Sequence, residues 1–94
     1  DLGRMYAGEV VRRDLAIRNV GPSAFLILEV KTSCGCTQVD FYKKPIRSGE
    51  SVPFSFEFDS RGFNGYQLKH ITLRTSLGPQ PYTLVVTGEV IPES

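Results

Sequence analysis

Ser51 to Asp59 reads SVPFSFEFD, the most regular two-residue alternation in the chain. Successive side chains of a strand point to opposite faces. Val52, Phe54, Phe56 and Phe58 therefore share one face, and Pro53, Ser55, Glu57 and Asp59 the other. Leaving three Phe rings in water would cost about 2 kcal/mol each. The segment must be a strand with a buried face, and that face needs a second layer to cover it. Pro53 lacks an N–H, which predicts a position near a sheet edge or at the strand's start.

Similar signals recur at short intervals. Leu2 to Tyr6 predicts a short edge strand, and Glu9 to Asn19 a longer one with Leu15 and Ile17 inward. Val10-Val11 and Arg12-Arg13 interrupt the alternation there, which predicts a bulge or twist. Asn19 to Ser23 is a turn by composition. Phe25 to Thr32 follows, with Leu26, Leu28 and Val30 on one face, and then Gln38 to Phe41. Ser60 to Gly65 is a loop containing a hairpin-like Gly62-Phe63-Asn64-Gly65 turn. Tyr66 to Thr75 places Ile71 and Leu73 inward, and Tyr82 to Ile91 does the same for Leu84, Val86 and Val90. Gly88 falls on that inward face, which predicts close approach of another backbone or a bulge. The expected core is Leu15, Ile17, Leu26, Leu28, Val30, Phe54, Phe56, Phe58, Ile71, Leu73, Leu84 and Val86.

Composition agrees. Val, Ile, Thr, Phe and Tyr supply thirty residues against three Ala, and such side chains suit a pleated sheet better than a helix. No window sustains a 3.6-residue period, so no substantial helix is expected. The fold class is all-β: an antiparallel sandwich of seven or eight strands with Greek-key connections, forming one domain over residues 1–94. A net charge of +1 argues against nucleic acid as a partner. No apolar run reaches the roughly 20 residues needed to span a bilayer, so no membrane insertion by this domain is expected. The chain opens Asp1-Leu2-Gly3 without an initiator Met. It reads as an excised or processed segment whose targeting signal lies elsewhere.

Cys34-Gly35-Cys36 is the one motif that carries chemistry. Carrying the strand parity forward places both cysteines on the core face. Three readings stay open. They could be two small buried hydrophobes. They could form a disulfide, which would need Gly35 to kink the chain and bring the Cα atoms within reach. They could be a thiol pair serving as a soft-metal site, for copper(I) or zinc, or as a redox site. A closed zinc site normally needs four ligands, and nothing in the sequence brings His70, the one imidazole, near. His70 falls on the outward face with Thr72 and Arg74. A Cys–His nucleophile pair oriented by Asp14, Asp40 or Asp59 lacks any oxyanion hole or catalytic Gly turn. The domain is therefore expected not to be an enzyme and to carry no cofactor.

Thr32-Ser33-Cys34-Gly35-Cys36-Thr37, followed by Pro45-Ile46-Arg47-Ser48-Gly49-Glu50, resembles a bacterial domain family of unknown function with a CGCT signature. Asp1-Leu2-Gly3 with Gly8-Glu9, Leu15 to Gly21, Asp59 to Gly65 with Lys69-His70-Ile71, and Thr87-Gly88-Glu89-Val90 are similar to further marks of that family. Ser48 stands where Pro is usual, and Leu15 and Ile17 stand for Phe. The resemblance implies an immunoglobulin-like sandwich, similar to hydin-type and major-sperm-protein-type β domains. It also implies an exported, periplasmic, cell-surface or other cell-envelope setting in a bacterium. It transfers no catalytic residue.

The functional expectation is a non-catalytic interaction or structural module, a monomer or weak dimer, with an unidentified protein partner bound at strand edges or end loops. Phe41, Tyr42, Arg61, Phe63 and Tyr66 are the candidate binding residues, because aromatic and Arg side chains are enriched in binding hot spots.

Overall fold

The computed structural model describes residues 1–92 and contains seven strands and no helix among them. They are β1 (Arg4–Tyr6), β2 (Val10–Arg18), β3 (Ile27–Thr32), β4 (Thr37–Phe41), β5 (Ser51–Asp59), β6 (Gly65–Thr75) and β7 (Tyr82–Ile91). They form two sheets, one ordered β1-β7-β6-β3 and the other β2-β5-β4. The fold is a β-sandwich. The chain changes sheet between β1 and β2, β2 and β3, β3 and β4, and β5 and β6.

The Phe strand lies at the centre of the smaller sheet. Phe54, Phe56 and Phe58 are buried and join Leu2, Met5, Ile71, Val86 and Val90 in the main core cluster. A second cluster of Ile27, Ile46 and Val52 closes the opposite end. Pro53 thus lies in a central strand, near its start. β4 ends opposite Phe54, so Pro53 has no partner on that side and its missing N–H is tolerated there.

Three expectations need correction. First, β2 pairs with β5 in unbroken register from Val10↔Asp59 to Arg18↔Ser51, without the bulge anticipated at its arginines. Arg13 shares the inward parity of Val11, Leu15 and Ile17, but at the open rim it swings across and donates from Nη2 to Leu2 O at 3.4 Å. Leu15, two residues further on, joins neither core cluster and is 44% exposed. Second, the bulge falls in β3, where the register shifts between Ile27 and Glu29. Leu28 is the extra residue, so Ile27 turns inward to 5% exposure while Leu28 stays outside at 47%. Leu26 is only half-buried, as is Val30, which packs on both clusters. Third, Gly62 to Gly65 is no hairpin turn, because it joins β5 to a strand of the other sheet.

β1 also departs from an all-antiparallel scheme, pairing parallel to β7 with Arg4↔Glu89 and Tyr6↔Ile91. Gly88 explains how closely it lies. A Cβ there would stand 2.9 Å from Met5 Cε, 3.3 Å from Leu2 Cβ and 3.4 Å from Gly3 O. Leu2 and Met5 seal the core through the space that Gly88 leaves.

Candidate functional site

The chain leaves β3 opposite His70 and crosses to the other sheet through Ser33–Cys36. Ser33 N–H donates to His70 O at 2.9 Å, and His70 N–H donates to Ser33 Oγ at 2.9 Å. The crossing arrives at β4, where Asp59 N–H donates to Cys36 O at 2.9 Å. Within the turn, Cys34 and Cys36 form a disulfide with a Cα–Cα distance of 5.3 Å. Of the three readings left open, this is the second. With the sulfurs joined, neither is available as a thiolate ligand for copper or zinc.

The two sulfurs are not equivalent. Cys36 N–H points at Cys34 Sγ at 3.1 Å. Cys36 Sγ lies 3.7 Å from Thr37 Oγ1. Cys36 also borders an open cleft of about 280 Å³ with Val10, Gln38, Glu57, Asp59 and Arg61. Both cysteines are half-buried, and the Gly35 between them is exposed with open space where a Cβ would stand. His70 was assigned to the outward face, and it is exposed. Its backbone nevertheless lies opposite Ser33, one residue from Cys34. Only the β3–β6 register reveals that proximity, and no spacing in the sequence signals it.

The five candidate binding residues do not converge. Phe41 and Tyr42 are half-buried and pack on the cluster around Ile46. Phe63 packs on the main core, its ring 5.6 Å from that of Phe58, with Lys69 Nζ 4.5 Å above it. These three are aromatic lids. Arg61 lines the cleft beside the disulfide, and Tyr66 stands 68% exposed on the outer face of β6.

A larger, apolar opening lies at the other end of the sandwich. A cleft of about 660 Å³ is lined by the Arg18–Ser23 segment and by Ile17, Phe25, Ile27, Leu73, Leu77 and Tyr82. It adjoins an uncovered stretch of β7. β1 meets β7 only toward its C-terminal end: Thr87 O accepts from Leu2 N–H, Glu89 N–H donates to Gly3 O, and Ile91 O accepts from Ala7 N–H. Odd-numbered residues of β7 therefore face that edge. By the period of two, Thr83 and Val85 present their N–H and C=O groups there with no strand beside them.

The outer face of the smaller sheet is charged. Arg12 bridges Asp14 at 2.9 Å and Glu57 at 3.5 Å. The hydrogen bond that Arg12 donates to Asp14, and the Asp14 charge, hold the Arg12 guanidinium above its ordinary pKa. Among the described residues no group of three His, Cys, Asp or Glu side chains gathers as a metal site.

A family model described as a protein of unknown function (DUF1573) matches residues 1–90. No curated protein matches the chain.

Proposed function

The chain belongs to the DUF1573 family of proteins of unknown function, and we propose that this domain is a non-catalytic interaction module that takes up an extended segment of a partner protein by strand addition. The observation that carries the reading is the uncovered stretch of β7 beside the apolar cleft. That edge already accepts one parallel strand, β1, so a second strand laid on the same edge continues an existing pairing. Thr83 and Val85 supply backbone hydrogen bonds, and alternate side chains of the incoming segment cover Leu15 and enter the cleft beside Ile17 and Tyr82. Main-chain bonds then give affinity and the cleft gives selectivity. The partner segment is an extended one that alternates apolar and polar residues.

A bacterial envelope or exported setting belongs to the same proposal. It is supported by the Cys34–Cys36 bond, because disulfides persist in oxidising compartments and are rare in reducing ones.

The test uses a ten-residue peptide alternating valine and threonine, with lysine at both ends for solubility, titrated into the ¹⁵N-labelled domain. Shifts are expected at Thr83, Val85, Leu15 and the cleft. Val85→Pro removes an edge-facing N–H without touching the β6 ladder, so it should weaken binding about tenfold while the protein stays folded. Equal binding by Val85→Pro, or shifts confined to the other uncovered edge at Tyr66 and Leu68, would refute the assignment.

A further inference from the structure

We infer that Cys34–Cys36 is a thiol–disulfide exchange site, a stoichiometric acceptor of two electrons from a pair of thiols. Three observations carry this. The bond encloses only Gly35, so it constrains the unfolded chain less than a bond closing a long loop would. The strands on either side are already held, β3 by β6 and β4 by β5. The bond is therefore not needed to hold either strand in its sheet. It is also within reach of solvent: both cysteines are half-buried, Gly35 between them is exposed, and Cys36, which packs on the main core, also lines the open cleft together with Arg61.

A hydrogen bond gives the reaction a direction. Cys36 N–H is aimed at Cys34 Sγ at 3.1 Å. A backbone N–H stabilises a thiolate better than a neutral sulfur, so Cys34 is the better leaving group and Cys36 the sulfur attacked. A thiolate of the reacting pair enters the cleft and attacks Cys36 Sγ. The new S–S bond forms as the Cys34–Cys36 bond breaks, and the electron pair departs on Cys34 Sγ. The second thiolate then attacks its neighbour's sulfur in the mixed disulfide and expels Cys36 as a thiolate. Two protons released by the reacting thiols end on Cys34 and Cys36. The thiol pair becomes a disulfide, having lost two electrons and two protons, and the protein becomes a dithiol. The reacting class is a thiol small enough, or carried on a chain exposed enough, to reach the cleft.

Protein purified without reductant is expected to be lighter than its sequence mass by two hydrogens. It is then equilibrated with about a tenfold excess of reduced over oxidised glutathione, quenched in acid, alkylated and weighed. More than half should be dithiol and still folded, and in trapped intermediates glutathione should sit on Cys36 with Cys34 alkylated. A parallel arm replaces glutathione with a reduced dithiol peptide. Faster exchange there identifies protein thiols as the reacting class, and slower exchange a small thiol. In Cys36→Ala the residue-36 N–H survives, so Cys34 should be alkylated faster at neutral pH than Cys36 is in Cys34→Ala. Resistance to the glutathione excess, unfolding on reduction, or glutathione found on Cys34 would each overturn the proposal.

Discussion

At Asn19 one buried amide ties together three stretches of chain. Its Nδ2 donates to Ser23 O at 2.8 Å and to Ile46 O at 2.9 Å, and its Oδ1 accepts from Gly21 N–H at 3.0 Å. Its backbone adds a bond from its own N–H to Glu50 O at 2.9 Å and one from Gly49 N–H at 2.7 Å. Composition reads Asn19 as a turn residue; the bend itself falls at residues 21–23, and its first N–H is held by the Asn19 side chain. Its burial was not legible, because Ile46 and Glu50 come near only once the β4–β5 loop folds back. Asn19→Ala removes the side-chain donor to Ser23 O, one of the two donors to Ile46 O, which keeps Phe25 N–H at 3.1 Å, and the acceptor of Gly21 N–H, and should cost about 1–3 kcal/mol, read from the urea midpoint. Asn19→Asp should cost more at neutral pH, since a carboxylate oxygen then faces those carbonyls. Burial and the carbonyls raise the folded pKa of the new carboxyl above its unfolded value. Its penalty is therefore present above the folded pKa and fades as pH falls through it. The Asp variant should thus recover relative to Asn19→Ala on acidification, and parallel urea curves at several pH values would show whether it does.

β5, β6 and β7 could be read from the sequence because each keeps one parity from end to end, and their inward residues are the core. β3 could not. A bulge adds one residue and exchanges the two faces beyond it, so Leu26, Leu28 and Val30 cannot all share a face. The test is a pair of substitutions. Ile27→Ala should cost about 2–4 kcal/mol, as a buried aliphatic truncation does. Leu28→Ala should fall within about 0.5 kcal/mol. Chemical denaturation of the two variants decides, and the reverse order would restore the unbulged register. β1 was expected only as a short edge, and three residues carry no signal for pairing direction. Gly88 announced a close neighbour but not which one. At the site, alternation placed Cys34 and Cys36 on one side, yet the bond between them and the nearness of His70 both depend on the turn and on the β3–β6 register.

The molecule measures 51 × 22 × 17 Å, and its longest strands are the two of the β6–β7 hairpin, which no neighbouring strand covers in full. β1 lies along the C-terminal part of β7, and β3 along the C-terminal part of β6. Because the hairpin strands run antiparallel, the two uncovered half-edges sit at opposite ends of the sheet. One is Thr83 and Val85. The other is Tyr66 and Leu68, since His70 and the even-numbered residues of β6 turn toward β3. Amide exchange should display this stagger directly. Along β7, Leu84 and Val86 face the β6 ladder and Glu89 donates to Gly3 O, so all three should be protected. Thr83 and Val85 should exchange about a hundredfold faster, as should Tyr66 and Leu68 against Gln67 and Lys69. Strand addition at β7 then has its own signature: the alternating peptide should slow Thr83 and Val85 and leave Tyr66 and Leu68 unchanged. If Thr83 and Val85 are already slow in the free domain and become fast on dilution, a second copy of the chain occupies that edge, and the partner proposed for it must compete with self-association.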